Sequence, residues 1–153
     1  MGGSRSALVR WWRLDTAART AALVALWRLT AVTWWLRTRG FGDIRERIDS
    51  VSEPDAHAAP VSTAQLARIV DRLAHGVPWR TTCLHRSLAL TWMLNERGVP
   101  AEMRIGVGRD GPDEALLFHA WVEVDGHVVN DSTEISARFA PFPGFVPPDA
   151  EFT

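Results

Sequence analysis

Residues 81–107 have the sequence TTCLHRSLALTWMLNERGVPAEMRIGV, in which a helical hydrophobic pattern gives way to that of a strand. The first part predicts a helix from about Thr82 to Arg97, because Gly98 follows as a C-terminal stop. In the second part every other residue from Met103 onward is apolar, which predicts a strand. A cysteine-bearing helix therefore leads into a β-rich half of the chain.

The residues after this stretch predict a hairpin and a tail. Residues 116–124 predict a second strand, Asp125-Gly126 is a turn signal, and residues 127–131 predict the returning strand. Residues 139–153 are rich in proline and phenylalanine, and we expect them to wrap over the domain in extended form. Helices first and antiparallel strands afterwards make the predicted fold class α+β.

The residues before it predict another amphipathic helix. Ser62 can cap its start and Gln65 can complete a capping box. Gly76 and Pro78 end it. The predicted buried face repeats at i, i+3, i+4 and i+7: Leu66, Ile69, Val70 and Leu73.

The N-terminal part predicts a long helix over residues 7–37, broken by Gly40 and Gly42 and followed by a polar linker over residues 49–60. Its most apolar stretch is shorter than the roughly 20 residues of a membrane span and carries Arg28 in its middle. We expect burial against the domain. Docking on a partner or peripheral contact with a membrane surface stays open but is less favoured.

The composition of the 153 residues excludes several classes of function. A net charge of −1 gives no electrostatic case for nucleic acid. All 17 basic residues are arginine, so lysine chemistry is excluded. The single cysteine, Cys83, allows neither an internal disulfide nor a zinc site made of cysteines. We expect a cytoplasmic protein with no metal and no cofactor.

Cys83 is the candidate nucleophile. Thr81 and Thr82 can cap the following helix, which places Cys83 in the first turn. Helix N-termini favour the thiolate and so lower the pKa of a cysteine. Their free N–H groups can also receive the oxyanion of an acyl transfer. The alternative is that Cys83 is a small buried hydrophobic residue.

His119 and Asp131 are the candidate partners, because a base and its orienting carboxylate can meet on neighbouring strands. A three-residue loop with Gly126 in the left-handed conformation places His119 directly opposite Asp131. A two-residue turn puts the two side chains on opposite faces of the sheet. We therefore predict the three-residue loop, or an equivalent bulge further along. A satisfied core histidine is the alternative for His119.

Three further residues have candidate roles near Cys83. Arg86 lies within a turn of it and could bind a peptide backbone, although a solvated or salt-bridged arginine is the favoured alternative. Trp121 is expected on the face of His119, where it could shield the His–Asp contact or simply pack. His85 does not make a metal site with Cys83, since Cys-x-His at a helix start points the two side chains apart.

Several blocks resemble the lasso-peptide leader peptidases, which are transglutaminase-like, papain-type cysteine proteases. The resemblance covers residues 79–132, about a third of the chain. Two of the blocks together make it specific. They are Cys83-Leu84-His85-Arg86-Ser87 and His119-Ala120-Trp121-Val122-Glu123. It implies a core with the cysteine helix packed on an antiparallel sheet. We expect this core over residues 61–153, after a helical region and linker over residues 1–60, and the length of 153 residues predicts one compact domain overall.

The resemblance also implies roles and partners. Cys83 would be the nucleophile, His119 the general base and then acid, and Asp131 the residue that orients His119. The substrate would be a precursor peptide, and the partners a small leader-binding recognition protein and an ATP-dependent macrolactam cyclase. The glutamine that often precedes such a cysteine as oxyanion donor is missing, and Trp79 or Arg80 are candidates for that role.

Three functions stay open on the sequence alone. The first is a cysteine peptidase that removes a leader peptide through Cys83, His119 and Asp131. The second is a peptide-binding module of the same fold without catalysis. The third is an acyltransferase or deamidase, since an amine can resolve the acyl-enzyme in place of water.

Overall fold

The computed structural model describes residues 15–51, 60–110 and 115–142. Its helices are α1 (Thr16–Thr38), α2 (Phe41–Asp49), α3 (Thr63–Gly76), α4 (Cys83–Asn95) and the short α5 (Ile135–Arg138). Its strands are β1 (Ala101–Asp110), β2 (Ala115–Val124), β3 (His127–Val128) and β4 (Ala140–Pro141). The predicted start of the first helix, most of the linker and the end of the tail lie outside the described residues.

Helix α1 has one buried face, which carries small and branched side chains. Asp15 caps its start by accepting from the Ala18 N–H at 2.6 Å. The helix packs on α3 and α4, so this face lies in the main core. Its buried residues there are Ala21, Ala25, Leu29 and Val32. In the described part of the chain, every helix is too short or too polar to cross a membrane.

Helix α2 lies where the sequence predicted only a break and a linker. Gly40 does break the chain, with a φ of 90°, but Gly42 lies inside the new helix. The helix carries Ile44 and Ile48, which are both fully buried in the main core. Burial of these two side chains outweighs the low helix propensity of one glycine.

Helices α3 and α4 begin close to where the sequence predicted. The Ser62 hydroxyl accepts from the Gln65 N–H at 3.2 Å, as expected of a cap. Thr81 then donates to the Ala74 carbonyl oxygen at 2.8 Å and ties the end of α3 to the approach of α4. Helix α4 is buried on nearly all sides, so its first residue, Cys83, is held firmly between α3 and the sheet.

The sheet is antiparallel with strand order β3-β2-β1-β4, and this confirms the α+β fold class. Strands β1 and β2 form a long hairpin in which Gly106 faces His119. Helix α4 packs on one face of this hairpin. The tail returns as β4, where Ala140 pairs with Val107, so part of it forms the sheet edge that we had expected to be irregular.

The turn between β2 and β3 contradicts the predicted three-residue loop. Val124 pairs with His127 across a two-residue turn, with Asp125 at a φ of 51° and Gly126 at 75°. Positive φ at both positions is the requirement of the tight hairpin turn that Asp-Gly favours. The returning strand is also shorter than predicted, because it ends at Val128.

A small second cluster covers the face of the sheet opposite α4. Trp121, Ile135 and Phe139 form it, with Leu117 and Val128 packed against them. Two glycines of β1 allow this close packing. A Cβ at Gly106 would lie 2.8 Å from Trp121 Cη2, and one at Gly108 would lie 2.8 Å from the Arg138 carbonyl oxygen.

Gly106→Ala should destabilise the protein by about 1–3 kcal/mol, as overpacking of a rigid site does. The added methyl group would meet the Ala140 carbonyl oxygen at 2.9 Å and the fully buried ring of Trp121. Chemical denaturation measures the change. Gly42→Ala is the matched control, because nothing lies within 4 Å of its Cβ and it should stabilise helix α2 slightly. Equal stability of the two variants would contradict this packing.

Candidate active site

The candidate site forms where β3 leaves the edge of β2. The last main-chain bond of the ladder runs from the Val129 N–H to the Val122 carbonyl oxygen at 3.0 Å. Beyond it, the Val122 N–H donates to the Asn130 side chain, Oδ1, at 2.8 Å. Main-chain pairing of the two strands therefore stops at Val122, two residues from Ala120. No described strand residue pairs with the main chain of Ala120 on this edge, which leaves it accessible to α4.

Ser87 of helix α4 occupies this open edge. Its hydroxyl donates to the Ala120 carbonyl oxygen at 3.0 Å and accepts from Asn130 Nδ2 at 3.1 Å. Ser87 is fully buried. Since a buried hydroxyl without partners is costly, the two bonds fix both the helix and the segment around Asn130 on the main chain of β2.

His119 and Asp131 meet directly at this point. His119 Nε2 lies 2.7 Å from Asp131 Oδ2, and the two side chains are only 11% and 28% exposed. A carboxylate can only accept, so Nε2 carries a proton, and in the neutral imidazole Nδ1 then has the lone pair. Asp131 Oδ1 accepts from the Ser132 N–H at 2.7 Å. The contact forms although the predicted loop is wrong, because the chain leaves the ladder before Asp131.

Two aromatic rings flank the His119 imidazole. The Trp121 ring lies nearly parallel to it, with centroids 6.4 Å apart, and the Phe139 ring lies at 5.1 Å. The Trp121 indole donates to Glu123 Oε1 at 2.8 Å, and its side chain is fully buried. These rings cover one side of the imidazole. The shielding of the His–Asp contact that the sequence suggested for Trp121 stays a prediction.

Cys83 lies at the first position of α4 and is 1% exposed. Burial raises the pKa of its thiol, while the main-chain N–H groups of Ala120, Leu84 and Cys83 and the charge of Arg86 act in the opposite direction. The helix start thus favours the thiolate as expected, but the net direction is opposite to the expected one because desolvation is the larger effect.

Cys83 and His119 both lie near the open edge of β2, on opposite faces of the sheet. Cys83 packs in the main core with Ala120, and His119 lies with Trp121 on the other face. The main chain of Ala120 lies between them, since it favours the thiolate of Cys83 and directly follows His119. Within the described ranges, no hydrogen bond links the thiol to the imidazole. The structure therefore brings His119 and Asp131 into contact and Cys83 to their edge.

His85 has a structural position in the first turn of α4. Its Nδ1 accepts from the Thr82 N–H at 3.2 Å and lies 3.0 Å from Thr82 Oγ1. This is a capping box in which a neutral imidazole replaces the usual Glu or Gln. Burial and then the charge of Arg37 lower the pKa of His85 from its ordinary value of 6.5.

The His85 cap predicts a stability that falls at acidic pH. Since the folded-state pKa is the lower one, the unfolded chain binds more protons below about pH 6.5, and the contribution is fully present only above that pH. We expect the free energy of unfolding to change with pH by less than the one-proton limit of about 1.4 kcal/mol per pH unit, because His85 is partly exposed. Denaturant unfolding between pH 5 and 7 measures it.

His85→Gln should remove this slope, because a glutamine can accept in the same box without titrating. His75→Gln is the control, since His75 is exposed on α3, and it should leave the slope in place. A slope that survives in the His85 variant would show that another group causes it.

The remaining candidates have mixed outcomes. Arg86 binds Asp71 Oδ1 at 2.9 Å, which is the salt-bridged arrangement that the sequence left open. Trp79 Nε1 is buried and, within the described part of the chain, has no hydrogen-bond partner. Arg80 is exposed. Their roles in binding a substrate or an oxyanion stay predictions.

No cluster of three or more metal-binding side chains occurs among the residues that the structure describes. Two residues that build the site, Ser87 and Asn130, were not identified as functional from the sequence. The spacing of Ser87, four residues after Cys83, is a signal that could have indicated a shared helix face. Asn130 directly precedes Asp131 and gave no signal, since an asparagine near a strand end is ordinary.

Comparisons with known proteins identify the family of the chain. Residues 26–143, more than three quarters of the chain, match the family described as Transglutaminase-like superfamily. A stretch of 62 residues is 37% identical to the Microcin J25-processing protein McjB of Escherichia coli. That stretch covers 40% of this chain and 28% of McjB. No solved structure matches the chain.

Proposed function

We propose, from the premise that the chain belongs to the transglutaminase-like superfamily, that it is a cysteine peptidase that removes the leader from a lasso-peptide precursor. The contact between His119 Nε2 and Asp131 Oδ2, at 2.7 Å, carries this proposal. It is made at the edge of β2 to which α4 brings the only cysteine. The partial likeness to a microcin-processing protein supports a ribosomal peptide as the substrate.

The proposed first half of the reaction forms a thioester. The Cys83 sulfur attacks the scissile carbonyl carbon while His119 Nδ1 takes the thiol proton. The oxyanion of the tetrahedral intermediate is stabilised by free N–H groups at the start of α4, with the Trp79 indole as a candidate second donor. The C–N bond then breaks, and the imidazolium gives its proton to the leaving amine of the core peptide.

The proposed second half regenerates the enzyme. Water attacks the thioester carbon while His119 Nδ1 takes one of its protons, and collapse of the intermediate expels the Cys83 sulfur. The imidazolium returns its proton to the sulfur, and the leader leaves with a new carboxyl group. Asp131 remains ionised throughout and keeps the imidazole in the tautomer with the proton on Nε2.

The burial of Cys83 indicates general-base activation during attack rather than a thiolate at rest. A thiol that is 1% exposed and has a raised pKa should react slowly with iodoacetamide, even at pH 6–7. The lowered pKa that the helix start alone predicts would instead have given fast alkylation. Slow alkylation therefore does not separate a peptidase from a binding module, and the products must do so.

Product masses test the proposal. The protein is incubated with a candidate precursor, with and without the small leader-binding protein that we propose as its partner, and the products are read by mass spectrometry. Hydrolysis gives a leader and a core whose summed mass exceeds the precursor by one water. Transfer to an added amine, or deamidation, would give other masses and identify an acyltransferase or deamidase. Tight precursor binding without any product would favour the binding module.

The wider assembly follows from the same proposal. The released core peptide carries a new amino terminus, which an ATP-dependent macrolactam cyclase would consume. The leader-binding protein would hold the leader and present the scissile bond. Both partners belong to the proposal.

A further inference from the structure

We propose that Ser87 and Asn130 are positioning residues that stop strand β3 early and so keep the edge of β2 open for Cys83 and His119 to meet. The inference rests on the proposed function and names two residues that serve its site. Neither side chain needs to touch the substrate for this role. The argument starts from the main-chain groups of Ala120 and Val122.

The edge of β2 carries hydrogen-bonding groups that a longer β3 would use. Val122 directs its carbonyl oxygen towards Val129, and Ala120 lies two residues away, so its main-chain groups point to the same edge. If β3 continued in the observed register, Asp131 would pair with Ala120. Its backbone would then take the edge position beside Ala120 where the Ser87 hydroxyl now binds the carbonyl oxygen.

Asn130 ends the ladder with its side chain. Its Oδ1 accepts the Val122 N–H at 2.8 Å in place of a strand carbonyl oxygen, and its Nδ2 donates to Ser87 Oγ at 3.1 Å. All the groups involved are thus satisfied without a further strand residue. The chain turns away after Asn130, and this turn lets the Asp131 carboxylate reach His119 Nε2.

Ser87 fixes helix α4 on the same stretch of β2. Cys83 and Ser87 are four residues apart and so lie on one face of α4. Both face the main chain of Ala120: the Ser87 hydroxyl donates to its carbonyl oxygen, and its main chain favours the thiolate of Cys83. The first turn of α4 is thereby positioned against the main chain of one residue of β2, and that residue directly follows His119. Errors of about 1 Å in such an arrangement cost on the order of 100-fold in rate.

The variants Ser87→Ala and Asn130→Ala test this proposal, with two matched controls. Thr91→Val removes another buried hydroxyl of α4, which has no hydrogen-bond partner among the described residues. Asn95→Ala removes another amide that accepts a main-chain N–H, that of Ala101 at 3.2 Å, away from the site. Thermal unfolding of all four establishes that they fold.

Two readouts are expected to separate the test variants from the controls. The kcat for precursor cleavage should fall about 10- to 100-fold in the test variants while KM changes less than about threefold. In the NMR spectrum, the proton on His119 Nε2 should exchange faster with water once Asp131 is released. Both controls should keep the wild-type kcat and the wild-type exchange rate.

A double-mutant cycle with Asp131→Asn distinguishes positioning from general support of the fold. If Asn130 acts through Asp131, Asn130→Ala should cost less than about threefold in the Asp131→Asn background. Costs that simply multiply would overturn the proposal, as would test variants that match the controls. If the wild-type protein cleaves no precursor, the peptidase proposal fails, and the exchange rate of the Nε2 proton still decides this one.

Discussion

Alanine in place of Cys83 should abolish cleavage of the precursor, leaving no product above the level of a sample without protein. The chain has no second thiol that could replace it. Cys83 is also the group from which His119 would take the proton, so the acyl-enzyme cannot form without it. Removal of one buried sulfur leaves a small cavity next to Leu84 and Ala120, which should cost no more than about 1–2 kcal/mol.

Product formation followed by mass spectrometry measures this loss, and thermal unfolding checks that the variant folds. Cys83→Ser is the matched variant, because it keeps a hydrogen-bonding group of similar size at the start of α4 but is a far weaker nucleophile. Both variants should bind the precursor as the wild-type protein does. Retained cleavage by the alanine variant would refute the peptidase mechanism.

Asp131→Asn should lower kcat by about two to four orders of magnitude, as loss of the orienting carboxylate does in comparable triads. Both carboxylate oxygens accept an N–H, Oδ2 from His119 and Oδ1 from Ser132. An amide has only one acceptor oxygen, so it must turn its NH₂ group towards one of the two donors. If it faces His119, the imidazole changes to the tautomer whose Nδ1 is protonated, and that nitrogen can no longer take the thiol proton.

Single-turnover cleavage measures this effect, with KM determined alongside. Asp125→Asn is the control, because Asp125 lies in the same hairpin at a φ of 51°, a conformation that asparagine tolerates. The control should keep its rate. An Asp131 variant with the rate of the wild-type protein would remove Asp131 from the proposed mechanism.

The sequence predicted the elements of this fold well where one local signal decides them. Ser62 caps its helix as expected, and the alternation after Met103 is a strand. Helix α2 was missed because Gly40 and Gly42 suggested a break, whereas the burial of Ile44 and Ile48 depends on contacts with other helices. Contacts between distant parts of the chain leave no periodic signal in a single sequence.

The candidate site was predicted in its residues but not in its geometry. His119 and Asp131 do meet, but through a strand that ends early and not through the predicted loop. The early end depends on Ser87, which lies 43 residues before Asn130. The pKa of Cys83 was misjudged for a similar reason. Its helix start is local and visible in the sequence, but the burial that outweighs it comes from the packing of the whole core.

The contact between α4 and the main chain of Ala120 has a consequence for mutational surveys of this protein. Its contacts to α4 are made by the peptide group, and its side chain is already a methyl group that is 1% exposed. An alanine scan has nothing to remove at this position and would report it as unimportant. Its constraint would appear instead as intolerance of any larger residue at 120, and as covariation between positions 87 and 130.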